Sequence, residues 1–287
     1  MGTTATLRDE LDAATSALEA AGVPEARVDA EWLLAGLMGL GRARLRMELG
    51  REVSAGLARR FADAVSRRAR REPLQRILGW EEFRGLRLRL TDAVLVPRPE
   101  TEALVEWALE LLPPAGGRRL LAVDLGTGSG CIACALAAER ADVDVLALDL
   151  CPAAAAVARE NAQALGFKSR ISVVVTDLLH GVGDLGADLI VSNPPYLPTG
   201  LVPELLPEVR RHEPSLALDG GVDGLALIRR IAVHARRVLR PSGALVVETA
   251  GDVQATAAAT LLRAEDFSRV EMRADLAGVT RFVAGRA

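Results

Sequence analysis

The sequence predicts an α/β protein: a doubly wound sheet with a small helical domain ahead of it. Three observations carry that expectation. From Arg119 onward, short apolar runs alternate with helical stretches, the pattern of strands buried on both faces. A glycine-rich turn separates the first of those strands from the helix that follows it. The residues before about Leu74 show helical spacing alone.

In order along the chain, Leu7, Leu11 and Leu18 recur at helical spacing. Arg27 to Leu40 carries Trp32, Leu33, Leu34 and Leu37, and Ser54 to Arg71 lines Leu57, Phe61 and Val65 on one face, while Gly22-Val23-Pro24 breaks the first helix from the second. From Trp80 to Val96 the period changes: Leu86, Leu88 and Leu90 alternate with Arg87 and Arg89, as in a strand of a hairpin. Pro97-Arg98-Pro99 stops it, and Glu100 to Leu112 reads as a helix. Strands follow at Arg119–Asp124, Val143–Asp149, Ile171–Val175, Leu189–Ser192 and Ala244–Glu248, with helices at Gly130–Glu139 and Pro152–Leu165. Phe267 to Val283 reads as two strands around Asp275–Gly278, a hairpin that would add antiparallel strands to a parallel sheet.

Composition excludes several classes of protein. Half of the 287 residues are hydrophobic and 3% are aromatic, so a large core must be built from Ala, Leu and Val. A formal net charge of -3 gives no general positive field for indiscriminate nucleic-acid binding, so a nucleic-acid partner is not expected. Three cysteines, Cys131, Cys134 and Cys151, cannot all pair and are too few for a disulfide-stapled fold. The stretch Thr3–Ala21 mixes acids with Leu and Ala and lacks the pattern of a signal peptide, and no uncharged apolar run is long enough to span a membrane. A soluble, cytoplasmic protein without a membrane partner is expected. His180, His212 and His234 are scattered and form no metal set. Cys131 and Cys134 have a C-x-x-C spacing, but as small side chains at a helix start they are expected to pack against the sheet.

The first candidate site is the turn Asp124-Leu125-Gly126-Thr127-Gly128-Ser129-Gly130. Its glycines allow close backbone approach to a ligand at the carboxyl end of the first sheet strand, where doubly wound sheets bind ligands. A dinucleotide fingerprint would place its third glycine at position 131, where Cys131 stands. The alternate glycines resemble instead the cofactor turn of class I methyltransferases, which use S-adenosylmethionine. Asp149 ends the next strand about 20 residues on, where a carboxylate accepts from ribose hydroxyls. Asp177 and Leu178, ending the third strand, are candidates for the adenine contact. The cofactor set is therefore Asp124, Gly126, Thr127, Gly128, Ser129, Gly130, Asp149, Asp177, Leu178 and Asn193.

The tetrapeptide Asn193-Pro194-Pro195-Tyr196, after the apolar run Asp188–Ser192, indicates the reaction. A sulfonium methyl is already activated, so the difficulty lies with the nucleophile. An amide or exocyclic amine nitrogen shares its lone pair with a neighbouring π-system. The Asn193 side-chain carbonyl and a nearby backbone carbonyl, such as that of Pro194, can each accept one N–H of an –NH2 group and let positive charge develop on the nitrogen. Two prolines stiffen the turn and add no competing donor, and Tyr196 offers a flat face for a planar acceptor. This chemistry calls for neither a tuned general base nor a metal. The tetrapeptide alone does not separate glutamine from adenine or cytosine.

Further motifs narrow the choice. Arg71-Glu-Pro-Leu-Gln-Arg-Ile-Leu-Gly79, Glu82-Phe83, Val96-Pro-Arg-Pro-Glu-Thr-Glu102, and Glu213-Pro-Ser-Leu-Ala-Leu218 with Gly220-Gly221 stand beside Asn193–Tyr196. With these the chain resembles the bacterial release-factor glutamine methyltransferases over nearly its whole length. The resemblance implies a helical substrate-docking domain at residues 1–78, a β-hairpin linker at 79–97, and a cofactor-binding catalytic domain at 98–287 with a seven-stranded mixed sheet. It implies methyl transfer from S-adenosylmethionine to N5 of the glutamine in the Gly-Gly-Gln loop of class 1 peptide-chain release factors. Alternatives are a nucleic-acid amino-methyltransferase and a ribosomal-protein glutamine methyltransferase. Leu178 stands where some relatives have Trp, Glu248-Thr-Ala-Gly251 differs from the more usual Glu-x-Gly, and Val279-Thr280 replaces a charged pair. The run Arg67, Arg68, Arg70 and Arg71 is a candidate docking surface.

Overall fold

The computed structural model describes residues 5–287, so the first four residues of the expected helical domain lie outside the described residues. Two units emerge, one of Met1–Trp80 with Leu206–His212, the other of Glu81–Leu205 with Glu213–Ala287. No helix among the described residues is long and apolar enough to cross a membrane.

In the first unit, α1 (Leu7–Ala20) starts from a capping box between Thr6 and Asp9, and α2 (Ala26–Met38) ends on left-handed Gly39. The short α3 (Arg42–Met47) is followed by α4 (Ala55–Ala69), capped by Ser54, and by α5 (Leu74–Leu78). Leu7, Leu11 and Leu18 of α1 pack with Leu33 and Leu34 of α2 and Phe61 of α4. Glu31 is buried between helices and accepts from both Arg42 and Arg46. The arginine run is held internally. Arg67 pairs with Glu72, Arg70 bonds Ser66, and buried Arg68 donates to Asp29 at 2.7 Å. Arg68 and Arg71 both reach Glu208, at 3.2 and 2.6 Å, so the segment Leu206–His212 is tied to the helices of this unit.

The strands β1 (Trp80–Phe83) and β2 (Leu86–Arg89) form a separate two-stranded sheet. Phe83 and Leu88 of this hairpin are buried in the apolar core of the second unit. The helix α6 (Pro99–Leu111) opens with Pro99 in its first turn, one residue before the start expected at Glu100. The main sheet then unfolds in chain order as β3 (Leu120–Leu125), α7 (Cys131–Glu139), β4 (Val143–Asp149), α8 (Pro152–Ala164), β5 (Ile171–Val175) and β6 (Ala187–Ser192). After α9 (Pro207–His212) come α10 (Ala226–Val238), β7 (Leu239–Glu248), α11 (Asp252–Ala264), β8 (Ser268–Ala274) and β9 (Thr280–Arg286).

The seven strands lie in the order β5-β4-β3-β6-β7-β9-β8. The first five are parallel, and β9 runs antiparallel to both β7 and β8, which is the hairpin expected around Asp275–Gly278. Two apolar clusters, one on each face, sandwich the sheet between helices. This is the class I methyltransferase fold. The strand expected at Ala244–Glu248 begins earlier, at Leu239. It carries an irregularity where Pro241-Ser242-Gly243 bulges out between the pairings Ala187↔Leu239 and Leu189↔Ala244.

Register places the site. Leu125 pairs with Leu148 on one side and Ser192 on the other, Ser192 pairs with Val247, and Asp149 pairs with Val175. The segments after β3, β4, β5, β6 and β7 therefore emerge side by side at the carboxyl edge of the sheet, and strand order reverses between β3 and β6.

Candidate active site

The glycine turn is folded by its own backbone and by its neighbours. Gly126 N and Thr127 N both donate to Leu148 O, at 2.8 and 3.0 Å. Gly126, Gly128 and Gly130 have φ of 70°, 54° and 80°, a region that L side chains avoid. At Gly130 space is also short, since a Cβ would lie 3.2 Å from Ala158 of α8. Asn161 of α8 donates to Ser129 O at 2.8 Å and to Arg89 O at 3.0 Å, which joins the turn to β2.

Asp124 and Asp149 serve the turn differently. Asp124 is fully buried; its Oδ2 accepts from Thr127 Oγ1 at 2.7 Å and Ala133 N at 3.2 Å, while Oδ1 is buried with no protein partner. Burial pushes its carboxyl up to about 7, against the hydrogen bonds from Thr127 and Ala133. Asp149 accepts from Gly128 N at Oδ2 and Cys151 N at Oδ1, both at 2.8 Å. Each oxygen keeps a lone pair for a further donor.

A cavity of about 330 Å³ opens beside these groups. Of the residues singled out by sequence, Gly126, Gly128, Asp149, Asp177, Leu178, Asn193 and Pro195 line it. Asp124, Thr127, Ser129 and Pro194 are buried and are not part of its lining. Gly130 and Tyr196 are not part of its lining either. Its walls include Val94, Leu95, Leu150 and Leu227, an apolar slot with carboxylates at its rim. Leu178 holds φ 49° in the turn after β5, past the strand end that the sequence suggests for Asp177 and Leu178, and Asp177 accepts from Arg230 at 2.7 Å. Arg230, on α10, is a lining residue that sequence reading did not find, because it lies far from Asp177 along the chain.

The tetrapeptide is held from three directions. Asn193 Nδ2 donates to Thr101 Oγ1 at 3.0 Å, and Thr101 Oγ1 donates to Glu248 Oε2 at 2.9 Å. Gln254 donates to Tyr196 O at 2.8 Å. Leu197 N donates to Leu218 O at 3.0 Å, and Gly220 N returns a bond to Leu197 O at 2.8 Å. Glu213, buried, accepts from Val96 N and from Arg98, both at 3.4 Å. The Val96–Glu102 and Glu213–Gly221 motifs thus meet each other and the tetrapeptide. Glu248 is also buried; burial pushes its carboxyl up to about 7, against hydrogen bonds from Thr101 and Tyr196. Burial and the neighbouring Glu248 charge in turn raise the Tyr196 phenol above its usual range. Cys131 and Cys134 are free, and burial pushes both thiols up to about 12, which removes thiolate character at neutral pH.

The residues fit S-adenosylmethionine. The glycine turn allows close backbone approach, Asp149 offers free acceptor capacity at the end of β4, and the buried Asp124 Oδ1 lacks a donor that a cationic amino group could supply directly or through water.

Comparison with known proteins agrees with this arrangement. Residues 9–79 match the PrmC N-terminal domain model and residues 105–202 the methyltransferase small domain model. The curated Release factor glutamine methyltransferase of Cereibacter sphaeroides is 45% identical over 278 residues, covering 97% of each chain. That of Deinococcus radiodurans is 43% identical over 280 residues (98% of each chain), and that of Geobacter sulfurreducens 41% over 281 residues (98% of this chain, 96% of the relative). Among solved structures, the hMettl16 catalytic domain superposes with TM-score 0.59 at 20% identity, covering 78% of this chain and 81% of that one. A methyltransferase from Pyrococcus furiosus gives 0.53 at 17%, covering 71% and 89%. These two show the fold alone. Identity at this level across both domains means that the chain belongs to the release factor glutamine methyltransferase family.

Proposed function

We propose that the chain transfers the methyl group of S-adenosylmethionine to N5 of the glutamine in the Gly-Gly-Gln loop of class 1 peptide-chain release factors. The observation that carries this reading is the orientation of Asn193. Its Nδ2 is committed to Thr101, so Oδ1 is left to the cavity that Asn193 lines.

The cofactor is assigned to the slot between the glycine turn and Leu178. In this reading Asp149 accepts from the ribose hydroxyls, Asp124 faces the amino group, and Asp177 and Leu178 border the adenine. When bound, the cofactor supplies an electrophilic methyl on sulfonium. The chain's own residues act on the acceptor. Asn193 Oδ1 and Pro194 O each take one N–H of the amide, which fixes the nitrogen and stabilises the positive charge that develops there as it attacks. Pro195 keeps the turn stiff, and the Tyr196 ring supports the planar amide. Formation of the C–N bond would break the sulfur–methyl bond and leave S-adenosylhomocysteine as a neutral thioether, and the nitrogen would shed one proton to solvent.

The helical unit is assigned to partner recognition. Its Arg67–Arg71 run is not the contact surface in this reading, because those guanidinium groups already bond Glu72, Asp29, Ser66 and Glu208. The test is a comparison of acceptors with labelled cofactor. Release factor should take up label, and DNA and ribosomal proteins should not. Labelling of DNA with none on release factor would favour an amino-methyltransferase of nucleic acid.

A further inference from the structure

We propose that Thr101 and Glu248 are positioning residues for methyl transfer. They form a one-directional relay, Asn193 Nδ2–H to Thr101 Oγ1–H to Glu248 Oε2, that fixes which end of the Asn193 amide faces the acceptor. The proposal rests on the reading of Asn193 as the clamp for the acceptor nitrogen.

The two ends of an asparagine amide have nearly the same shape and opposite hydrogen-bonding character, so packing cannot choose between them. Only a partner of fixed polarity can. The Thr101 hydroxyl has one proton. It lies 2.9 Å from Glu248 Oε2, and an ionised carboxylate only accepts. Thr101 must therefore donate to Glu248, and it is left to accept from Asn193 at 3.0 Å. That holds Nδ2 against Thr101 and Oδ1 toward the cavity. Thr101 and Glu248 are 2% and 1% exposed, so bulk water does not reach in to reverse the order.

The fold brings these residues together from three separate elements. Thr101 stands on the first turn of α6, Glu248 ends β7, and Asn193 follows β6, whose Ser192 pairs with Val247. A proton on Glu248 Oε2, the oxygen that Thr101 meets, would invert the chain. Glu248 would donate to Thr101, Thr101 would donate to Asn193 Oδ1, and the amide would present its –NH2 to an acceptor that is itself –NH2. Burial places this change at about pH 7. The groups that face Glu248 are Thr101 and Tyr196, which hydrogen-bond it and lower its pKa, Arg281 of β9, which also lowers it, Glu100 of α6, which raises it, and the Cys131 thiol of α7.

The experiment has two readouts. The first is independent of any acceptor. In ¹⁵N-labelled protein, the Asn193 side-chain amide signal, assigned by its loss in Asn193→Ala, should shift with a midpoint near pH 7 and stop shifting in Glu248→Gln. The second is kinetic, at saturating cofactor. Thr101→Val should lose about 10- to 100-fold in kcat on release factor while S-adenosylhomocysteine affinity, by calorimetry, stays within about twofold. Thr101→Ser should restore the rate. The wild-type kcat should rise with pH through about 7, and Glu248→Gln should lack that limb. An amide signal that ignores pH, or an acid limb that persists in Glu248→Gln, overturns the relay. So does near wild-type kcat in Thr101→Val. If that variant does not fold, the amide titration decides alone. A wild-type enzyme that leaves release factor unmethylated overturns the acceptor assignment instead, and the amide titration still decides the relay.

Discussion

Gly220 stands against Pro195 so closely that a Cβ on it would lie 2.7 Å from the Pro195 carbonyl oxygen. Gly224 O is also 2.8 Å from that position, so neither neighbour is a flexible side chain that can yield. Gly220→Ala should therefore push the tetrapeptide out of place without touching a catalytic group. Loss of about 10- to 100-fold in kcat is expected, with cofactor affinity little changed. Near wild-type kcat would show that the tetrapeptide tolerates displacement.

Asp149→Ala removes a carboxylate that holds Gly128 N and Cys151 N as well as the proposed ribose acceptor. A charged hydrogen bond contributes about 1.5–3 kcal/mol, so cofactor affinity should fall roughly tenfold or more. Calorimetry that finds unchanged affinity would remove Asp149 from the site.

Asn193→Ala should lower kcat by about a hundredfold or more while the cofactor still binds, because one preorganised acceptor is lost. Sequence alone suggests that Tyr196→Phe is mild, since the ring remains. The structure adds a consequence: Tyr196 hydrogen-bonds Glu248, so its loss should raise the Glu248 pKa further above about 7. The acid limb of the rate profile should move to higher pH, and an unmoved limb contradicts the contact.

Stability should fall as pH rises from about 4 to 7. Burial holds Asp124 and Glu248 at about 7, against ordinary values of 3.8 and 4.5, so the folded chain keeps two protons that the unfolded chain has lost. Their stabilisation is full below the unfolded values and disappears as pH passes the folded ones. At about 1.4 kcal/mol per pKa unit, each is worth a few kcal/mol, on the order of 3–4. The depressed carboxyls of Glu31, Asp188, Glu208 and Asp275 act in the opposite sense, but only at lower pH. Thermal melting of the cofactor-free protein should show a lower Tm at pH 8 than at pH 5.5, with a shallower decline in Glu248→Gln. A decline of equal slope in the variant would rule Glu248 out as a source.

What could be read from the sequence follows from how local its cause is. The βα alternation was legible because strands buried on both faces must be continuously apolar, and the turns were legible because glycine and proline act on their own backbone. The sequence expectation has no helix at α10 or α11, although the Ile228, Ile231 and Ala235 face of α10 is amphipathic. The arginine run reads as a candidate docking face, and the sequence does not show that Glu208, far along the chain, accepts from Arg68 and Arg71. Thr101 and Glu248 lie 92 and 55 residues from Asn193 and have no local pattern that pairs them with it; only the strand order does so. The Gly220-Gly221 pair reads as a motif in the sequence, and its causes, the Pro195 carbonyl at Gly220 and the Ala226 side chain at Gly221, appear only in three dimensions.

The most direct test of the central claim is mass spectrometry of a class 1 release factor after incubation with the enzyme and S-adenosylmethionine. A single added methyl of about 14 Da should map to the glutamine of the Gly-Gly-Gln loop. It should vanish when that glutamine is replaced by glutamate, whose carboxylate lacks the N–H groups that Asn193 and Pro194 are proposed to hold. A methyl on another residue, or one that persists in the glutamate variant, would contradict the claim.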